Sequence, residues 1–203
     1  MEKECVTLIG VAKFKPSQKK YKDGHVYISV LISGDDLVAL DVRFFSEAGD
    51  ELVPTRNGFR VPAESLLACV RELLGNPLDL DSTCHKTKTR ELHVRYVSDK
   101  YGEAIDIRYY KKSAKYTGWE KRGLRLRVTD FEHFQKLISE INFVDISVAS
   151  EKNLLGGKTI IDPKERWAKD SGGADENSGS AREKHSSTRR SGYINEALRE
   201  LIG

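Results

Sequence analysis

Apolar residues return at every second position in several stretches of this chain, beginning with Val6, Leu8, Ala12 and Phe14 around Gly10. That period puts alternate side chains on opposite faces of an extended strand. It predicts strands over Val26 to Ile32, Val38 to Phe45 and Gly58 to Pro62, and again over Leu92 to Val97, Ala104 to Tyr110 and Gly123 to Val128. Leu40, Val42 and Phe44 share one face, as do Ile105, Ile107 and Tyr109. Asp41, Arg43 and Phe45 share the other, as do Asp106, Arg108 and Tyr110.

The period then lengthens to that of a helix. Leu66, Val70 and Leu73 line one face between about Ala63 and Leu74, with Gly75 as a left-handed stop. Phe131, Phe134, Ile138 and Ile141 line a second helix, whose Thr129-Asp130-Phe131-Glu132 start has the spacing of a reciprocal cap. Each helix is expected to lie across its own sheet.

The two sets of elements align at a constant offset. Val38-Ala39-Leu40-Asp41-Val42-Arg43-Phe44-Phe45 returns 65 positions later as Glu103-Ala104-Ile105-Asp106-Ile107-Arg108-Tyr109-Tyr110. Gly58-Phe59-Arg60-Val61 falls on Gly123-Leu124-Arg125-Leu126, and Leu66, Cys69 and Leu73 fall on Phe131, Phe134 and Ile138. At the same offset Ile28, Val30 and Ile32 fall on His93, Arg95 and Val97. The reading is one small unit written twice.

The expected organisation is a first repeat with a leading strand over 1–75, a polar linker over 76–89, a second repeat with an extension over 90–167, and a tail over 168–203. The linker is long enough to let the two units pack side by side as an intramolecular pseudo-dimer. Phe143 to Val148 and Lys158 to Ile161 suggest further short strands. Between Lys169 and Ser191 the chain is Gly, Ser and charge, a composition expected to stay disordered, before a short amphipathic end at Tyr193, Ile194, Leu198, Leu201 and Ile202.

Charge separates the repeats. The net value of +3 hides eight acids against four bases from His25 to Gly75, and twelve bases against eight acids from Arg90 to Asn142. No apolar run reaches the length of a membrane span, and Met1 to Cys5 lacks the core of a secretory signal, so a cytoplasmic, nucleoid or nuclear location and no membrane contact are expected. Cys5, Cys69 and Cys84 have neither paired nor metal-ligand spacing and read as reduced thiols. No metal and no cofactor are expected.

The sharpest contrast lies in the segment before the third strand. Ser46 to Arg56 is largely acidic, whereas its counterpart holds Lys111, Lys112, Lys115, Tyr116, Trp119 and Lys121. Lysines and arginines neutralise phosphates, and aromatic faces stack on unpaired bases. Arg108, Tyr110, Arg125 and Arg127 are predicted to point away from the apolar face, with His93 and Arg95 extending that surface. Catalytic patterns are absent from the sequence: Gly156-Gly157-Lys158-Thr159 echoes a phosphate-binding loop but has Lys152 where the first glycine belongs. A non-enzyme is expected.

The run Tyr96 to Ser98, Ile105-Asp106-Ile107-Arg108-Tyr109-Tyr110, Arg122-Gly123-Leu124-Arg125-Leu126 and the Phe131-Glu132-His133-Phe134 helix resembles the C-terminal domain of the transcriptional positive cofactor four family. About fifty residues carry the resemblance well, and the first repeat carries it weakly. The resemblance implies an α+β fold of ββββα, Whirly-like units that pair through their helices and bind single-stranded or melted DNA. By position the cleft would fall on Arg95, Lys100, Tyr101, Arg108, Arg125 and Arg127 beside the lysines; Trp119 lies later than the family's Trp. The expected function is that of a single-stranded DNA binding cofactor of transcription or replication, stacking bases on Tyr101, Tyr110 or Trp119. The alternatives are a single-stranded RNA binding protein, or a scaffold that meets a protein partner through the acidic repeat or the C-terminal segment.

Overall fold

In the computed structural model, which describes residues 6–143, 151, 153–156 and 158–161, the alternating stretches build two sheets. The first holds β1 (Val6–Phe14), β2 (Gly24–Ser33), β3 (Asp36–Ala48) and β4 (Glu51–Pro62), antiparallel in chain order. The second holds β5 (Asp81–Lys86), β6 (Arg90–Asp99), β7 (Gly102–Ser113) and β8 (Tyr116–Arg127), also antiparallel in chain order. Helix α1 (Leu66–Leu73) follows β4, and α2 (Val128–Ser139) follows β8. A short β9 (Thr159–Ile160) returns to pair in parallel with Glu51 and Leu52, where the sequence suggests a strand. The expected strand beyond Phe143, the tail and its amphipathic end lie outside the described residues. Among the described residues no helix is long and apolar enough to cross a membrane.

One apolar core draws on both sheets and both helices. Ile28, Val42, Phe59 and Val61 from the first sheet meet Val94, Ile107, Leu124 and Leu126 from the second. Leu66, Cys69 and Leu73 on α1, and Phe131, Phe134 and Ile138 on α2, complete it, all six buried as the repeat alignment anticipates. Each such side chain contributes roughly 1.5–3 kcal/mol on leaving water. Phe14 at the end of β1 lies 6.2 Å from Phe134 on α2, ring centre to ring centre.

Several expectations need correction. Residues 76–89 are not a free linker: after a turn at Pro77–Asp79 they form β5, anchored by buried Leu80 and Cys84. Only Cys84 within that strand and Leu80 just before it are apolar, too few for a pattern. The segments read as long loops before the third strands are paired hairpins, closed at Gly49-Asp50 and Ala114-Lys115. Thr129 makes no cap because α2 begins at Val128 after Arg127; the Asp130 carboxylate instead accepts hydrogen bonds from the Ser17 backbone N–H and hydroxyl. Gly75 is not left-handed. Helix α1 also does not stay on its own sheet, since it packs against β5 as well as β4.

The alignment of the first repeat strands also slips. Tyr27 pairs with Arg43 and His93 pairs with Arg108, so β2 matches β6 at an offset of 66, not 65. The cause is an irregularity in β3, where Leu31 faces Ala39 but Ile32 faces Leu37, leaving Val38 extra. A one-residue slip exchanges the two faces. Ile28 therefore enters the core while His93 faces outward, and the true counterpart of Ile28 is Val94.

Gly58 and Gly123 recur for a steric reason. A Cβ at Gly58 would stand 2.5 Å from the Val42 carbonyl oxygen, and one at Gly123 would stand 2.6 Å from Arg108 Cβ and 2.7 Å from the Ile107 oxygen. Both glycines pair with an arginine just before a bulge, at Arg43/Phe45 and Arg108/Tyr110. Gly123→Ala should lower stability by about 1–3 kcal/mol, as overpacking does. Urea unfolding checks it, and a wild-type midpoint would show that the strands part without strain.

Candidate nucleic-acid interface

Pleating and register decide which side chains reach the outer face of the second sheet. Ile105, Ile107, Leu124 and Leu126 turn inward, so their neighbours turn out in cross-strand rows. Arg95, Asp106 and Arg125 form one row, His93, Arg108 and Gly123 the next, and Glu91, Tyr110 and Trp119 a third. Val97, Ala104 and Arg127 close one end, and Lys112 extends the other. Seven predicted site residues thus share this face: Arg95, Arg108, Tyr110, Lys112, Trp119, Arg125 and Arg127.

The remaining five do not all join them. Lys100 and Tyr101 form the β6–β7 turn, with Tyr101 79% exposed and the Lys100 ammonium 5.1 Å from its ring centre. Lys115 sits in the β7–β8 turn at the opposite end of the strands. Lys111 falls on the alternate parity of β7, with Tyr109, and so leaves the outer face. Lys121 is exposed in the bulged stretch between Trp119 and Gly123.

Most of the cations on the face already have carboxylate partners. Asp106, buried in the sheet, holds Arg95 at 3.2 Å and Arg108 at 2.7 Å. Arg125 forks onto both oxygens of Asp99, at 2.8 and 2.9 Å, which raises the arginine's pKa and lowers the acid's. Glu91 receives Lys112 at 2.8 Å and Lys86 at 2.9 Å, and these two hydrogen bonds hold its carboxyl down to about 2. Arg127 remains exposed without a carboxylate partner among the described residues.

Trp119 is half-buried, not openly presented as the sequence suggests. The Arg95 guanidinium lies 3.7 Å from its ring centre, while Tyr110 and His93 meet it edge-on at 4.9 and 5.2 Å. A cation over an indole is worth roughly 0.5–2 kcal/mol. The tryptophan is therefore accounted for first by an internal contact, and the aromatic trio forms a small platform beside Arg108.

The corresponding face of the first sheet is built alike but covered. Asp41 is fully buried between Arg43 and Arg60, each at 3.1 Å, at the positions of Asp106, Arg108 and Arg125. Tyr27 and Phe45 take the places of His93 and Tyr110, their ring centres 5.3 Å apart, and Pro54 takes that of Trp119. Here Leu155 packs on Tyr27, Phe45 and Leu52. Gly10 holds the segment down by donating to Asn153 Oδ1 at 3.1 Å and accepting from the Leu154 N–H at 2.8 Å.

The sequence points to a basic connector after the leading strand without placing it at the site. Gln18, oriented with its amide nitrogen toward β8, donates to the Arg125 carbonyl at 2.7 Å and accepts from the Arg127 N–H at 3.1 Å, closing an open strand edge. The buried Tyr21 hydroxyl donates to the same carbonyl at 3.3 Å. No local pattern announces this docking, which exists only once both halves are folded. Among the described residues no three His, Cys, Asp or Glu side chains gather as a metal site.

No family model matches the chain, and no curated protein is similar enough to match it.

Proposed function

We propose that the outer face of β5–β8 binds single-stranded nucleic acid, DNA in preference to RNA, and that the protein serves transcription or replication as a non-catalytic cofactor. The observation that carries this reading is the gathering of His93, Tyr110 and Trp119 with Arg95, Arg108, Arg125 and Arg127 on one open sheet face. Rings offer stacking to any base, and cations beside them meet phosphates. Duplex DNA keeps its bases paired and should bind less well.

The two halves read as copies of one ββββα unit arranged as a pseudo-dimer, in keeping with the resemblance to the positive cofactor four family. Support comes from the Asp-x-Arg clamps at Asp41 and Asp106, the tight glycines at Gly58 and Gly123, and the bulges beside them, all repeating at 65 residues. One copy keeps its face open and the other is covered by Leu155, with Ile160 beside it.

A titration of labelled single-stranded DNA, single-stranded RNA and duplex at two salt concentrations tests the function. Arg127→Ala should flatten the salt slope by about one unit, as expected for one lost phosphate contact. Arg125→Ala should flatten it less, because Asp99 already neutralises that cation. Weak binding that ignores salt would sink the proposal. It would favour a scaffold, for which exposed Leu67, Leu74 and Leu78 on and after α1 provide an apolar surface.

A further inference from the structure

Residues 153–156 and 158–161 make contact with both edges of the first sheet and with the outer face between them. At the β1 edge Gly10 donates to Asn153 Oδ1 at 3.1 Å and accepts from the Leu154 N–H at 2.8 Å, while the same Asn153 oxygen accepts from the Leu155 N–H at 3.1 Å. Leu155 then packs on Tyr27, Phe45 and Leu52 and is buried. At the far edge Thr159 and Ile161 donate to the carbonyls of Asp50 and Leu52 at 2.9 and 2.8 Å, adding a short parallel strand to β4. Between these anchors the Lys158 ammonium stands 3.9 Å from Glu47, which also accepts from the Tyr27 hydroxyl and faces His25 at 3.1 Å.

The face beneath fits its occupant. A Cβ at Gly10 would stand 2.8 Å from Leu155 Cγ, so the glycine leaves the room that the leucine takes. An extended peptide augments a sheet in this manner: main-chain hydrogen bonds hold it, and pockets for its side chains select it. The fold itself does not demand the cover. The second sheet has no added strand among the described residues, and β9 is only two residues long.

We propose that the outer face of the first sheet is a peptide-docking groove held closed by the chain's own segment, and that its partner is a protein strand of the same chemistry: an asparagine, a leucine two residues on, and a lysine or arginine three further. The asparagine seats on Gly10, the leucine fills the aromatic pocket, and the cation meets Glu47 in the acidic half of the chain. A partner strand must displace the resident one. A segment on the same chain competes at an effective concentration on the order of millimolar, so the partner wins by supplying further contacts. The groove lies on the other sheet and does not rest on the nucleic-acid reading.

The probe is a fluorescein-labelled peptide with the sequence of residues 153–161, titrated by anisotropy into the whole chain. Leu155→Asp in the protein takes the resident side chain out of the pocket and leaves Gly10 in place. It should bind the peptide at least about tenfold more tightly than wild type, in which the open state is the minor one. Leu155→Ala should act in the same direction with less disturbance to the fold. Gly10→Val also dislodges Leu155 but fills the groove, and should bind no peptide. A peptide carrying Leu155→Asp should not bind, and one carrying Lys158→Glu should bind several-fold more weakly beside Glu47. Folded Leu155→Asp and Leu155→Ala proteins that ignore the peptide, or a wild type that binds it equally well, would overturn the groove. A labelled oligothymidylate separates the two faces. A second oligonucleotide bound per chain in Leu155→Asp would assign the groove to nucleic acid and overturn the peptide partner. Peptide binding as expected with no oligonucleotide binding at all would uphold the groove and remove the nucleic-acid reading alone.

Discussion

Trp119→Ala should weaken binding of a single-stranded oligonucleotide by roughly 5- to 150-fold, the equivalent of about 1–3 kcal/mol for one lost stacking partner. The ring has Arg95 on one side and the edges of Tyr110 and His93 around it. A base can reach the platform only by joining this stack or by displacing the guanidinium. Either way the indole supplies the largest apolar face on the open sheet. Trp119→Phe should keep most of the affinity, since a smaller ring still stacks. Fluorescence anisotropy with a labelled oligonucleotide measures the loss, and the melting temperature separates it from damage to the fold. Wild-type affinity in a folded Trp119→Ala protein would remove the platform from the mechanism.

Asp41→Asn should cost about 3–5 kcal/mol of stability, the loss seen when one partner of a buried ion pair is removed. Asp41 is 1% exposed, and its two arginines are less exposed, at 11% and 14%, than those around Asp106. The Arg60 Nη atoms already lack acceptors, so the carboxylate supports a cation that has little else. With neutral Asn in its place, both guanidinium groups would remain inside without a counter-charge. Asp106→Asn should cost less, because water reaches Arg95 and Arg108, whose side chains are over a quarter exposed. Urea denaturation of both variants gives the comparison. For a slope of about 2 kcal/mol per molar the midpoint should drop by about 2 M for Asp41→Asn. Equal and small losses would mean that the clamps hold the sheets only weakly.

These clamps also show what the sequence can and cannot convey. The Asp-x-Arg pairs and the glycines opposite them are visible as recurring letters because each is needed within its own hairpin: the carboxylate by the arginine two residues on, the glycine by the backbone it approaches. Long strands and the helices are legible for the same reason, since their periods are local. What fails is everything set by a partner elsewhere. The extra residue at Val38 has no mark in the letters, yet it moves Ile28 inward and leaves His93 outward. Strand β5 has only Leu80 and Cys84 to anchor it and hides among polar neighbours. The arginines fall on one face and the Asp106–Arg108 pair is local, but the neutralisation of Arg95 by Asp106 and of Arg125 by Asp99 depends on cross-strand register and turn geometry. The docking of Gln18 and Tyr21 is unreadable until their connector meets β8.

The core common to both sheets has a further consequence. Because Phe14, Phe134, Val42 and Leu124 belong to one cluster, the largest apolar interior is held jointly by both halves, and the first sheet keeps only smaller clusters of its own around Tyr27 and Val30. A ligand that holds only the β5–β8 face therefore protects strands as remote as β1, and at a hundred times its dissociation constant it adds about 2.7 kcal/mol to the whole chain. The covered first sheet should then share in the thermal protection that a ligand on the open one confers.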